Sequence, residues 1–412
     1  MNTVRKFVGI LLLVPFMVAA NAQDIAVRGE RIYTSAGAPI DDGIVVVRDG
    51  KIAAIGPASA VAVPGGMPIV DAAVVTPGLI DAHTVVGMVG FLSQDGDQDQ
   101  LEESAAIQPE LRAIDAYNAR EPLVEWLRTF GITTIHSGHG PGEIVSGQTL
   151  IAKTVGNTVA TAVIEPVAMV AVTMGEGAVV SGQNGRKSPG TRAKVAAMLR
   201  AELVKARAYA NKIAAADADD DREAPPRDLK LEVLADVVTG KTPLLVTAHR
   251  HNDIMTALRI AEEFEISIVL DGASEAYLLI DEIKAAGVPV IVHPAMARAS
   301  GERENLSFTT AATLIEAGIP TAFQSGYEGY VPKTRVILFE AAITLAHGLT
   351  FEQALSAVTI DAARILGLDD RVGSLEVGKD GDLALYDGDP FEYTSHAIGT
   401  IIDGVQVSDR VK

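Results

Sequence analysis

The chain contains no cysteine. Disulfides, thiolate zinc sites and a lipid-anchor cysteine are therefore excluded. Any metal must sit on His, Asp, Glu or a modified Lys. Positive charge is scarce, with 34 Lys and Arg against 53 Asp and Glu, a net charge of −19. Phosphate-rich partners need Lys and Arg, so nucleic acid and anionic lipid are poor matches. The acidic surplus reads most simply as solubility. Beyond the N-terminus no stretch reaches 18 uninterrupted apolar residues, so no later segment reads as a membrane helix. What is present is a globular composition, 48% apolar and 21% charged, in 412 residues. That length allows a large core and more than one structural unit.

The first residues read as a secretion signal. Arg5 and Lys6 start it, Phe7 to Val18 form an apolar run, and Ala20-Asn21-Ala22 is a small-x-small cleavage pattern before Gln23. The expected product is a bacterial periplasmic or secreted protein, mature from about Gln23.

Ile25 to Val75 reads as short strands, with Asp49-Gly50 as a tight hairpin turn inside Gly43–Pro57. The C-terminal end resembles it, with strands at Asp382–Tyr386 and Ile398–Val407. Two β segments at opposite ends of a chain can pair into one β-sandwich. Between them strand and helix patterns alternate. Apolar strands end at or near His83, His136, Lys153, Val172, His249, Asp271, His293 and Ser325. Helical periods fall at Ala193–Asn211, Asp253–Phe264, Ala276–Ala286, Thr309–Ala317 and Val336–Ala346. Eight strands with intervening helices predict an α/β fold, a (β/α)8 barrel of the TIM type. The expected organisation is a signal peptide at 1–22, a β-sandwich built from 23–76 and 367–412, and a barrel over 77–366. Two acidic stretches look like additions: Ala214–Pro226 as a solvated linker and Gln94–Glu103 as a loop over the barrel mouth.

Barrel active sites form at the C-terminal ends of strands. His83, His136, His249 and His293 fall there, with His139 three residues beyond His136. A lone histidine is usually structural, but four on separate strand ends can meet at one metal. They can equally line a polar pocket that holds no metal. His347 ends a helix and reads as structural.

Several motifs carry a family resemblance. They are PGLIDAHT (Pro77–Thr84), GITTIHSGHGPGEIVSGQ (Gly131–Gln148), AHRHNDIMTALRIAEEF (Ala248–Phe264), GVPVIVHP (Gly287–Pro294) and AARILGLDDRVGSLEVGKDGDLALYDGDP (Ala362–Pro390). The chain resembles the amidohydrolase superfamily, in the branch around imidazolonepropionase-like and prolidase-like enzymes, over most of its length. The resemblance implies a barrel holding one or two divalent metals. The metal activates a water and polarises a carbonyl, and an Asp on the eighth strand serves as base. Amides, cyclic amides and dipeptides are the typical substrates.

Carried over residue by residue, most of that site is replaced. The first strand should end His-x-His; it ends His83-Thr84-Val85, so Val85 takes the second place. Thr247 stands where a fifth-strand histidine belongs, with His249 as the second. Asp271-Gly272 replaces the sixth-strand His-Gly. No Lys lies near Val170–Val172, and Ser325-Gly326 falls where the eighth-strand Asp belongs. Two functions fit these residues. In one, His83, His249 and His293 bind a single zinc-like ion, Asp271 and Glu328 do the catalytic work, and His136, His139, Thr247, Ser325 and Tyr327 line the pocket. Asp81, two residues before His83, shares that inward face. The product is a hydrolase of a non-peptide carbon–nitrogen or dipeptide-like bond. In the other, no metal is bound and the barrel is an inactive small-molecule binder. Either way the expected partner is a small molecule, not nucleic acid, and not a membrane after signal cleavage. Self-association through barrel helices is compatible with both. Near the eighth strand, Tyr327, Tyr330, Lys333 and Arg335 are candidate readers of a substrate carboxylate. Ser146 and Ser325 sit in no nucleophile elbow.

Overall fold

The computed structural model describes residues 24–179, 188–219, 221–328 and 336–411. The signal-peptide reading and the candidates Tyr330, Lys333 and Arg335 lie outside these residues.

Four strands open the described chain: β1 (Ile25–Ile32), β2 (Ile40–Arg48), β3 (Lys51–Pro57) and β4 (Ile69–Pro77). The turn between β2 and β3 places both Asp49 and Gly50 at positive φ, the geometry that makes Asp-Gly a hairpin signal. The barrel follows with β5 (Leu79–Thr84), β6 (Ile132–Ser137), β7 (Val145–Gln148), β8 (Leu150–Lys153), β9 (Val163–Glu165) and β10 (Val170–Thr173). It continues with β11 (Leu244–Ala248), β12 (Ile268–Gly272), β13 (Val290–Val292) and β14 (Thr321–Phe323). The chain ends in β15 (Leu383–Tyr386), β16 (Ala397–Ile402) and β17 (Val405–Ser408).

The two chain ends share one sheet. Its order is β17-β16-β15-β4-β1-β2-β3, with β15 antiparallel to β4. Val27, Ile32, Val45, Val47, Val75, Leu383, Leu385 and Ile401 form an apolar cluster within this module. The expected β module made from both ends is therefore present.

The barrel strands fall into a four-stranded and a six-stranded sheet. β7 and β8, separated only by Thr149, bridge the two. A bridge between Thr84 and Gly326 joins the opposite side, with the Gly326 amide 3.4 Å from the His83 carbonyl. One strand departs from the simple alternation. β7–β8 runs antiparallel to both β6 and β10, whereas β10 through β14 are parallel. The reversal carries Lys153 to the opposite end of the barrel from the other candidate strand ends. There Lys153 meets Asp380, Asp382 and Asp403 of the terminal module.

Inside the barrel Ile80, Ala82, Ile151, Leu245, Val269, Ile291 and Ala322 form an apolar cluster with Ala362, Ala363, Leu366 and Val372. In a strand, residues two apart share a face. Thr247, Asp271, His293 and Gln324 each stand two residues beyond a member of that cluster, on its C-terminal side. The strand period thus builds an apolar floor and a polar mouth.

Candidate active site

The mouth centres on a buried ion pair. His83, 1% exposed, places Nδ1 2.9 Å from Oδ1 of fully buried Asp271. Asp271 accepts two further hydrogen bonds, from Thr247 Oγ1 at 2.6 Å and from Gln324 Nε2 at 2.8 Å. Burial raises a carboxyl's proton affinity. Here the His83 charge and these donors outweigh burial and hold Asp271 below the ordinary carboxylate range. For His83, burial disfavours the charged ring, but Asp271 and then Asp81 overcome it and raise its pKa. His83 Nε2 is buried without a well-formed hydrogen bond, although the His139 backbone lies near enough to help raise the ring's pKa.

Asp81 lies beside this pair. Its Oδ1 accepts from the Ser325 amide at 3.0 Å and the His83 amide at 3.4 Å. Burial pushes its pKa up to about 6, against the Ser325 hydroxyl and those amide bonds. Ser325 contributes both its amide and its side chain to Asp81, and its hydroxyl lies 3.0 Å from Thr84 Oγ1.

The other imidazoles have separate surroundings. His249 places Nδ1 2.8 Å from Ser274 Oγ and Nε2 3.2 Å from the Tyr327 hydroxyl. Its ring lies over Gly272, where φ is +75° and an added Cβ would stand 2.5 Å from His249 Cε1. Burial lowers the His249 pKa to about 4 and raises that of the Tyr327 phenol above its ordinary value. The Tyr327 ring centre is 6.2 Å from that of His83. His136 uses both ring nitrogens, Nδ1 on the Ala82 carbonyl and Nε2 on Thr149 Oγ1, each at 2.7 Å. Burial drops its pKa to about 3. His293 bonds through Nδ1 to the Pro294 carbonyl at 3.0 Å and faces Thr310 Oγ1 at 3.4 Å. His139 packs against Gly147, is 5% exposed, and has neither ring nitrogen hydrogen-bonded. Burial lowers its pKa to about 4. The acidic loop Gln94–Glu103 reaches this region, since the Gln100 carbonyl accepts from the Gly140 amide at 2.7 Å.

Of the expected residues, the structure gathers His83, Asp271 and Thr247 into one network. A second joins His249 to Tyr327. The expected ligand set His83, His249 and His293 is not assembled. An ion needs at least three protein donors aimed at one point. Among the described residues no group of three His, Cys, Asp or Glu side chains meets that need. The physical reason lies in the partners, because the ring nitrogens of His249 and His293 already face other groups. The residues present do not fit the metal centre that the resemblance implies. Glu328, expected as a general base, is held by Arg303 Nη1 at 2.9 Å in a partly exposed ion pair. The titratable groups at the buried centre are His83, Asp271 and Asp81.

Gln324 and Ser274 were not foreseen. Counting by twos from Ala322 leads to Gln324, not Ser325, as the next residue on the interior face. No comparable pattern marks Ser274, which lies in the turn after β12.

Comparison with known proteins agrees with this architecture. The amidohydrolase family profile matches residues 246–408. The amidohydrolase tasK of Hapsidospora irregularis is 24% identical over 81% of this chain, which spans only 36% of that protein's length. An imidazolonepropionase of Solibacter usitatus is 24% identical over 87% of this chain and 88% of its own. Among solved structures, an amidohydrolase from Thermotoga maritima superposes with a TM-score of 0.88 at 29% identity, covering 94% of this chain and 100% of the other.

Proposed function

Because this chain belongs to the amidohydrolase superfamily, we propose that it hydrolyses the carbon–nitrogen bond of a small amide, cyclic amide or dipeptide-like substrate at the barrel mouth. One observation carries the reading: His83 Nε2 is buried without a well-formed hydrogen bond, with the His139 backbone nearby, while Asp271 holds Nδ1. Asp271 fixes the ring's orientation, and its pairing with Nδ1 favours the ring that also carries a hydrogen on Nε2. An Nε2–H in a low-dielectric site is a donor for a substrate carbonyl, stabilising the negative charge that develops when water adds. We assign the acceptor role to His139, which follows β6 three residues beyond His136. Its ring is neutral, and both nitrogens are unpartnered. In this scheme His139 takes a proton from the attacking water, the carbon–nitrogen bond breaks, and the departing nitrogen receives that proton. No step passes through an ion.

The test is turnover of small amides by the purified protein. His83→Gln and His139→Gln should each lower kcat by about a hundred- to ten-thousand-fold with the fold retained. Unchanged turnover in both variants rejects the assignment. The near-complete burial of His83, Asp271 and Ser325 favours a second reading, a binding protein that encloses a small polar ligand without reaction. Turnover of any amide, abolished in His83→Gln, rejects that second reading.

A further inference from the structure

We propose that the His83–Asp271 pair takes the place of the divalent ion and that this barrel works without one. The inference concerns the same mouth as the proposed hydrolysis, but it stands or falls separately.

The argument begins with donors. A nitrogen that donates a hydrogen bond has no lone pair to offer a metal. His83 Nδ1 lies 2.9 Å from Asp271 Oδ1, a carboxyl whose other hydrogen-bond neighbours, Thr247 and Gln324, both donate to it, so the hydrogen on Nδ1 points at Asp271. Only Nε2 remains on this ring and Asp81 Oδ2 is unpartnered beside it, two His or carboxylate donors where a stable site needs three. The position two residues beyond His83 is Val85, fully buried within the main apolar core, which leaves no polar group there. Asp271 is equally committed. Oδ1 accepts from His83 and Gln324, and Oδ2 accepts from Thr247. An ion bound at Asp271 would have to break these bonds and leave Thr247 or Gln324 unsatisfied in a buried mouth, a cost of roughly 1–3 kcal/mol for each group.

Charge gives the same result. A divalent cation is tolerated in a buried site when anionic ligands balance it. The Asp271 charge is already balanced by the His83 ring. The ion pair thus occupies the electrostatic role of the metal with groups the chain itself supplies. Its Nε2–H stands where a Lewis acid would polarise the substrate.

The experiment measures metal content and melting temperature of the full-length protein, prepared from zinc-supplemented culture without chelator. The expected result is less than about one-tenth equivalent of any transition metal, against the full equivalent of a three-donor zinc site. Neither EDTA nor excess zinc should shift the melting temperature. A ligand at 100 times its Kd would stabilise by about 2.7 kcal/mol and raise it by several degrees. Asp271→Asn should lower the melting temperature and leave metal content unchanged. A near-stoichiometric ion, removed by EDTA with loss of stability or released by Asp271→Asn, overturns the proposal. Amide turnover by such an ion-loaded protein would leave the hydrolase reading standing. Absence of both ion and turnover would remove that reading and leave this inference intact.

Discussion

At Val85 and Asp271 the side-chain identity decides the chemistry. Both identities are plain in the sequence, and the loss of a paired-histidine site was readable from them. Where the remaining imidazoles would turn was not. A histidine at a strand end has two nitrogens and a free χ1, so its partner depends on residues far away in the chain. His249 illustrates this. Ser274 and Tyr327 hold its two nitrogens, and Gly272 provides the space for its ring. A prediction follows at this scale. Gly272→Ala places a Cβ 2.5 Å from His249 Cε1 and imposes a φ of +75° on an L side chain. Left-handed backbone at a non-glycine residue costs of order 1–3 kcal/mol, and the displaced ring adds to it. The variant should melt lower than the wild type, and the histidine NMR resonances should show His249 separated from Tyr327. An unchanged melting temperature would show that the turn after β12 is more compliant than its geometry indicates.

Among the elements, the alternation of strand and helix patterns identified the barrel, and the hairpin at Asp49-Gly50 identified its neighbour. The direction of β7–β8 could not be read the same way. Period-two patterning records which residues share a face and carries no sense of travel. The run Val145–Lys153 looks the same whether it ascends or descends the wall. The turn around residues 138–144 returns the chain immediately, so the next strand runs down and delivers Lys153 to the base. There Lys153, 3% exposed, contacts Asp380 Oδ2 at 2.7 Å, Asp382 Oδ1 at 3.2 Å and Asp403 Oδ1. Burial alone would lower the ammonium's proton affinity, but the three carboxylates reverse that and raise it. Removing one member of a buried ion network strands the others. Lys153→Met should therefore destabilise the protein by about 3–5 kcal/mol, measured by urea denaturation. Ion pairs on protein surfaces are in general worth about 1 kcal/mol or less. A Lys153→Met loss in that range would mean water already reaches the cluster.

For the molecule as a whole, this cluster couples its two parts. Lys153 belongs to the barrel wall, while Asp380, Asp382 and Asp403 belong to the C-terminal portion, so its charge state bears on how the terminal sheet is held. Two carboxyls respond to pH in opposite senses. Asp380 is buried, yet Lys153, Lys51 and Arg371 hold its pKa below 3.8. Its contribution is full above the unfolded value and is lost only as pH falls through the lower folded value. Asp382 is pushed the other way, from 3.8 to about 6, chiefly by burial, with Lys153 opposing and Asp403 adding to the rise. The folded protein therefore holds the Asp382 proton more tightly than the unfolded chain does. That contribution is full below about 3.8 and is lost as pH rises through about 6. Asp382→Asn keeps an uncharged side chain of similar shape at every pH. Relative to the wild type it should gain stability between pH 4 and 7, by up to about 3 kcal/mol. Urea denaturation of both proteins across that range gives the comparison directly. Parallel stability curves would show that Asp382 is ionised throughout, and that the Lys153 charge alone satisfies all three carboxylates.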